Sequence, residues 1–268
     1  MKYQRQMPEP KITFDDGAAY DRFMGRWSRA VGPIFLEWLA APKGSRWLDV
    51  GCGTGAFTQL VIELCAPGAI TAVDPAAAQI DYARRQPLAR QAEFRVADAV
   101  TLPFNDEAFD VVASALVINF IPDRAKALAE MRRVSRSGGI VAGYMWDRSP
   151  HTEFSPTAPM QRAFAEMGAE APRIPGAELG SLPSLFTAAG FEAIQTRPIE
   201  VTQTYRDFDD YWSAQTLPFT PAGKLIANMS DAERAQLRNT LKAILPPGPD
   251  GSITYSSRAS AIKARVAS

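Results

Sequence analysis

The sequence predicts an α/β fold built on a mostly parallel sheet. Three observations predict it. Short apolar runs alternate with amphipathic runs of helical length throughout residues 45–146, the rhythm of strands joined by crossover helices. The first apolar run, RWLDV (46–50), opens into a glycine loop, GCGTG (51–55), that leads straight into a helical pattern. After residue 146 the rhythm changes to Pro-, Ala- and Gly-rich segments mixed with helices, so a cap is expected on the sheet.

In order, AAYDRFMGRWSRAVGPIFLEWLA (18–40) reads as two amphipathic helices broken near Gly32-Pro33, because proline removes an interior helix hydrogen bond. RWLDV is a short buried strand. GAFTQLVIELCA is a helix stopped by Pro67-Gly68. AITAVD (69–74) is a second strand, and PAAAQIDYARRQ a helix with Pro75 in its first turn. AEFRVAD (92–98) and FDVVASALV (109–117) are the third and fourth strands, the latter followed by the helix PDRAKALAEMRRVSR. GGIVAGYMW (138–146) is the fifth. Then come a helix around PMQRAFAEMG, a helix SLPSLFTAAG ending at Gly190, a strand FEAIQTRPIEV (191–201), a mostly helical stretch 206–246 and a terminal strand in 251–266.

Composition narrows the function. Lys plus Arg is 29 and Asp plus Glu is 29, so no bulk positive field gathers nucleic acid or an anionic membrane. The most apolar run, VVASALVINFI (111–121), is too short to cross a bilayer, and MKYQRQMPEPKITFDD at the N-terminus lacks the apolar centre of a signal peptide. The two cysteines, Cys52 and Cys65, suggest a reducing cytoplasm rather than a disulfide framework. With a single histidine, His151, a Cys/His zinc site is not expected, and no G-x-S-x-G elbow accompanies it.

The glycine loop is the centre of the functional reading. Gly51, Gly53 and Gly55 let backbone amides face a ligand without a Cβ in the way. Gly51, Gly53 and Ala56 almost meet the nicotinamide fingerprint, so the loop alone leaves two cofactor classes open. The strand ends separate them. Asp49 lies two residues before the first glycine, where a carboxylate can face an ammonium group. Asp74 ends the second strand and can accept from both hydroxyls of a ribose. Asp98 ends the third and is followed by Ala99, a pair suited to an adenine amino group and ring. That third acid does not belong to the dinucleotide fingerprint.

On these residues the chain resembles the class I S-adenosylmethionine-dependent methyltransferases. LDVGCGTG looks like their first motif, VADAVTLPFNDEAFDVV like their gDa-x-x-LPF-x-d-x-sFD segment, and MRRVSRSGGIV like the turn before strand five. YDRFMGRWS is similar to the small-molecule (type 11, quinone-biosynthesis-like) branch. The likeness covers residues 18–146. Ser137 stands where the family often has proline, and Asn119 where many relatives carry histidine.

The resemblance implies a Rossmann-like, doubly wound, seven-stranded, mostly parallel sheet with the last strand antiparallel, plus a helical cap. It implies an N-terminal helical lid (1–44) and a methyltransferase domain (45–268) with cap segments 147–180 and 206–246. The cofactor would be S-adenosyl-L-methionine, leaving as S-adenosyl-L-homocysteine, and the acceptor a small, fairly apolar molecule, with neither nucleic acid nor membrane as partner. Cofactor contacts would come from Tyr20, Arg26, Trp27, Asp49, Gly51, Cys52, Gly53, Gly55, Asp74, Pro75, Asp98, Ala99, Ala115 and Leu116. Asn119 and His151 are the catalytic candidates. Tyr144, Trp146 and Asp147 share the acceptor rim, and cap residues Phe154, Met160, Phe164, Phe208, Tyr211, Trp212 and Phe219 line either an acceptor pocket or the cap's own core. A nicotinamide-dependent oxidoreductase and a non-catalytic cofactor-binding protein are the alternatives.

Overall fold

A computed structural model describes residues 21–147, 155–169, 181–218 and 220–267 of the chain. Helix α1 (Arg26–Leu39) follows a π-helical turn at Asp21–Gly25. Then come β1 (Arg46–Val50), α2 (Ala56–Cys65), β2 (Ala69–Asp74), α3 (Ala77–Ala83), β3 (Glu93–Val96), β4 (Phe109–Ala115), α4 (Arg124–Val134) and β5 (Ser135–Trp146). The remainder is α5 (Ala158–Glu166), α6 (Ser181–Ala188), β6 (Phe191–Tyr205), α7 (Phe208–Gln215), α8 (Pro221–Ala227), α9 (Asp231–Ile244) and β7 (Ile253–Val266).

The seven strands form one sheet in the order β3-β2-β1-β4-β5-β7-β6. Strands β1 to β5 pair in parallel, while β7 runs antiparallel to both β5 and β6. The expected Rossmann-like sheet with its last strand antiparallel is therefore present, and β7 is inserted inside the edge strand β6. Alternation along the strands feeds two cores. Trp47, Val111, Ala113, Ala142 and Tyr144 pack with Val31, Phe35, Phe57 and Val61 of α1 and α2. Leu48, Val112, Val141 and Met145 face Leu128, Met131, Leu182 and Phe186 of α4 and α6.

The expected break at Gly32-Pro33 does not occur: α1 runs through it, with Pro33 inside the helix. Tertiary packing outweighs the lost hydrogen bond. Val31, Phe35, Leu36 and Leu39 are buried on one face, and a Cβ on Gly32 would lie 2.3 Å from Leu60 Cδ1, so glycine lets α1 approach α2 closely. Pro75 also differs from expectation. The N-cap of α3 is Ala76, which leaves Pro75 just outside the helix.

Strand β6 runs to Tyr205 rather than ending at Val201. The Thr-rich extension is stabilised across the pair, where Thr202 Oγ1 meets Ser256 Oγ at 3.0 Å and Thr204 Oγ1 meets Thr254 Oγ1 at 2.9 Å. Strand β5 stops where Trp146 pairs with Ala259, but β6 and β7 stay paired as far as Tyr205 and Ile253. That overhang carries Tyr205, Ile253 and Tyr255 into a separate apolar cluster with Met160, Phe164, Tyr211, Leu237 and Leu241 of α5, α7 and α9. The α9 start is fixed by a reciprocal cap between Ser230 and Glu233.

Candidate active site

The glycine loop joins β1 to α2, and all three glycines have positive φ: 79° at Gly51, 51° at Gly53 and 80° at Gly55. Their roles differ. The Gly51 and Cys52 amides donate to Val73 O at 2.8 and 2.9 Å, and the Gly55 amide donates to Cys52 O at 2.8 Å, which folds the loop back on β2. A Cβ on Gly51 would lie 2.4 Å from Val117 Cγ1, and one on Gly55 would lie 3.2 Å from Ala83 Cβ. Around a Cβ on Gly53 there is nothing within 4 Å. Gly51 and Gly55 are thus needed for packing, while Gly53 borders open space. Among the described residues no side chain caps the start of α2, so its positive end can face a ligand.

Asp49 and Asp74 flank this loop. Asp49 is buried at the end of β1, 1 % exposed. Its Oδ2 accepts from Thr58 Oγ1 at 2.6 Å, and its Oδ1 has no hydrogen-bond partner among the described residues. Burial raises its pKa to about 7, against the opposing Thr58 hydrogen bond. Asp74 accepts from the Gly53 amide at 3.0 Å through Oδ2 and from the Ala76 amide at 2.9 Å through Oδ1. Burial raises its pKa as well. A carboxylate offers about four acceptor positions, so Asp74 keeps room for two hydroxyl donors. The Cys52 thiol, buried between the two acids, is pushed well above its ordinary range, first by burial and then by their charges. It contributes its backbone to the loop.

The third acid is arranged differently. Asp98 lies beyond the end of β3, exposed, and its Oδ1 accepts from the Val100 amide at 3.1 Å. Ala99 beside it is buried in the α4-side core. The loop that follows is held by α4. Glu130 accepts from the Leu102 amide at 2.8 Å, and Arg133 donates to the Leu102 and Phe104 carbonyls and to Asp106. The LPF segment and the MRRV segment are therefore one unit, a link that sequence reasoning missed because its partners lie some thirty positions apart.

At the end of β4, Ala115 is half-buried and Leu116 is buried with φ 64°, its amide donating to Tyr144 O at 2.8 Å. A branched residue held in the left-handed region is strained, and here the strain turns the chain between β4 and the glycine loop, where Val117 fills the space over Gly51. Asn119 is buried in a 3-10 turn, Ile118–Phe120, and its carbonyl accepts from Arg124 at 3.2 Å. It does not cap α4, because Asp123 does so through the Lys126 amide.

Two α1 residues expected at the cofactor have partners within the protein. Arg26 gives both terminal nitrogens to Asp210 of α7, at 3.3 and 3.2 Å, and lies 5.1 Å over the Tyr205 ring. The guanidinium keeps donors beyond these two bonds, and Arg26 is half-buried. Trp27 is fully buried, 5.8 Å from Trp146 and 5.1 Å from Tyr255, so it packs α1 onto β5 and β7. Tyr20 and His151 lie outside the described residues, as do Phe154 and Phe219. Tyr144 packs against Phe35 and Phe57, and Asp147 receives two hydrogen bonds from Arg258 at 2.9 and 2.7 Å. Met160, Phe164 and Tyr211 are buried in the cap's own core. Phe208 and Trp212 are covered by Arg238, and Phe208 by Lys242 as well.

A family model described as a methyltransferase domain matches residues 48–143. That span resembles a methyltransferase domain. It runs from β1 to β5 and contains the glycine loop and all three strand-end acids. Over 130 residues the chain is 33% identical to malonyl-[acyl-carrier protein] O-methyltransferase of Serratia marcescens, covering 46% of this chain and 49% of that protein. Over 117 residues it is 42% identical to demethylmenaquinone methyltransferase of Thermus thermophilus, covering 42% of this chain and 51% of that one. The chain spans about half the length of these curated relatives. Beyond the matched span the likeness is one of fold. Haemonchus contortus phosphoethanolamine N-methyltransferase 2, solved with phosphomonomethylethanolamine and S-adenosylhomocysteine, matches with a TM-score of 0.57 at 16% identity, over 94% of this chain and 57% of that one. Among the described residues no helix is long and apolar enough to cross a membrane.

Proposed function

We propose that the chain transfers the methyl group of S-adenosylmethionine to a small, fairly apolar acceptor. The observation that carries this is the buried Asp49 carboxyl, with one oxygen unpaired, at the foot of a glycine loop whose Gly53 borders open space. A dinucleotide would bring its pyrophosphate to this loop and helix start, beside the buried Asp49 carboxyl, whereas an amino-acid cation would be attracted by it; Asp74 suits the ribose of either cofactor. The residues fit the methionine and ribose ends of S-adenosylmethionine.

The bound cofactor supplies a sulfonium, an already activated methyl donor. The chain's own residues then bind, orient and exclude water. In this reading Asp49 receives the ammonium group, Asp74 the ribose hydroxyls, and Asp98 with Ala99 the adenine. The backbone of Gly51, Cys52, Gly53, Gly55, Pro75, Ala115 and Leu116 forms the walls. Asn119 orients the acceptor, and His151 serves as base where the acceptor is protonated. The segment 1–44 acts as a lid on 45–268, with α1 tied to the cap through Arg26 and Asp210. Tyr144 and Trp146 support the acceptor rim.

Incubation with methyl-labelled S-adenosylmethionine and a panel of small quinols, phenols and carboxylic acids tests the reading. Label should pass to a small acceptor and be suppressed by S-adenosylhomocysteine. Label passing only to protein or nucleic acid would contradict it.

A further inference from the structure

Thr58 is fully buried on the first turns of α2, and its hydroxyl donates to Asp49 Oδ2 at 2.6 Å. The donor is committed to one oxygen of the carboxyl and leaves Oδ1 as the unpaired atom. A free carboxyl can rotate about its Cβ–Cγ bond and exchange its oxygens. One with a fixed donor on a single oxygen presents the same oxygen each time. We propose that Thr58 is a positioning residue that holds Asp49 ionisable and correctly turned, so that arrival of a ligand ammonium group expels the Asp49 proton. The inference rests on the cofactor reading above and adds to it a proton released on binding.

The groups around Asp49 allow this assignment. From β2 it faces Asp74, and from the glycine loop the Cys52 thiol, which stays protonated. From α2 it meets Thr58, a neutral donor, and its paired neighbours on β1's flanking strands are Ala72 and Ala113. No cation among these groups competes for the carboxyl. Burial raises the Asp49 titration to about 7. Hydrogen bonding to the ionised form lowers a carboxyl pKa, so loss of the Thr58 hydroxyl must move the titration upward.

The test is calorimetric titration of the full chain with S-adenosylhomocysteine between pH 5.5 and 8, in buffers of different ionisation enthalpy. Wild type should bind about tenfold more weakly at pH 6 than on its plateau, the loss expected for one proton one unit below a titration at about 7. It should release about half a proton at pH 7. Thr58→Val, which keeps the shape and loses the donor, should move the break to higher pH and weaken binding several-fold at pH 7. Thr58→Ser should restore the wild-type profile. An unchanged profile in a folded Thr58→Val would overturn the inference and leave the cofactor reading standing. Wild-type binding with no proton release would do the same without need of any variant. No binding by wild type at any pH overturns both.

Discussion

The Gly53 amide donates to Asp74 Oδ2 at 3.0 Å, tying the glycine loop to the end of β2. The same carboxylate also receives the Ala76 amide at 2.9 Å. One side chain therefore sets the shape of the loop and, in the proposed function, receives the ribose. Asp74→Ala should weaken S-adenosylhomocysteine by roughly 2–4 kcal/mol, the range for losing charged hydrogen bonds. Asp74→Asn keeps one acceptor and should lose less. The check is the dissociation constant of each folded variant, and equal affinity in Asp74→Ala would remove the ribose role.

Two glycines of the loop should respond in opposite ways. A Cβ on Gly51 meets Val117 at 2.4 Å, whereas one on Gly53 meets nothing within 4 Å. Both backbones have positive φ, which costs about 1 kcal/mol for alanine in either place. Gly51→Ala adds a clash and should lower the melting temperature markedly. Gly53→Ala should melt within a few degrees of wild type and lose cofactor affinity instead. Melting curves with and without S-adenosylhomocysteine distinguish the two, and a Gly53→Ala variant that binds normally would show that no ligand enters that space.

Local signals explain what was legible in the sequence. Each of Gly51, Gly53 and Gly55 occupies a backbone conformation other residues resist, so the loop advertises itself. Strands β1, β2 and β4 were visible because each runs largely apolar for its own short length. The continuity of α1 was not, because it depends on Leu60 of another helix filling the space beside Gly32. Nor was the partner of Arg26, since Asp210 lies 184 positions away and no local pattern joins them. The extension of β6 was hidden by its polar residues, which pair with an equally polar strand.

The Arg26–Asp210 pair ties α1 to the cap, with side-chain exposures of 32% and 10%. Gln203 adds a bond to the Arg26 carbonyl at 2.9 Å. A double-mutant cycle of Arg26→Ala and Asp210→Ala, read by urea unfolding, should give a coupling of about 1 kcal/mol, the upper part of the range for partly exposed pairs. The coupling should shrink in high salt. Zero coupling at low salt would mean that the pair contributes nothing to holding the helix in place.

Asp49 makes stability depend on pH with a definite sign. Its pKa is about 7 in the fold, against about 3.9 in an unfolded chain. Between those values the ligand-free fold holds a proton that the unfolded chain has lost. Its contribution is thus fully present below about pH 4 and lost as pH rises through about 7. Asp49→Asn removes this dependence. The stability of the variant relative to wild type should rise from pH 5 to pH 8, by on the order of 2 kcal/mol. A constant difference across that range would show that Asp49 ionises normally in the fold.

In the proposed function the glycine loop and its acids select an adenosyl amino acid over a dinucleotide. Side-by-side calorimetric titration of the full chain with S-adenosylhomocysteine and with NADPH at pH 8 tests it most directly. Stoichiometric heat is expected with S-adenosylhomocysteine and none with NADPH. Binding of NADPH with no response to S-adenosylhomocysteine would contradict it.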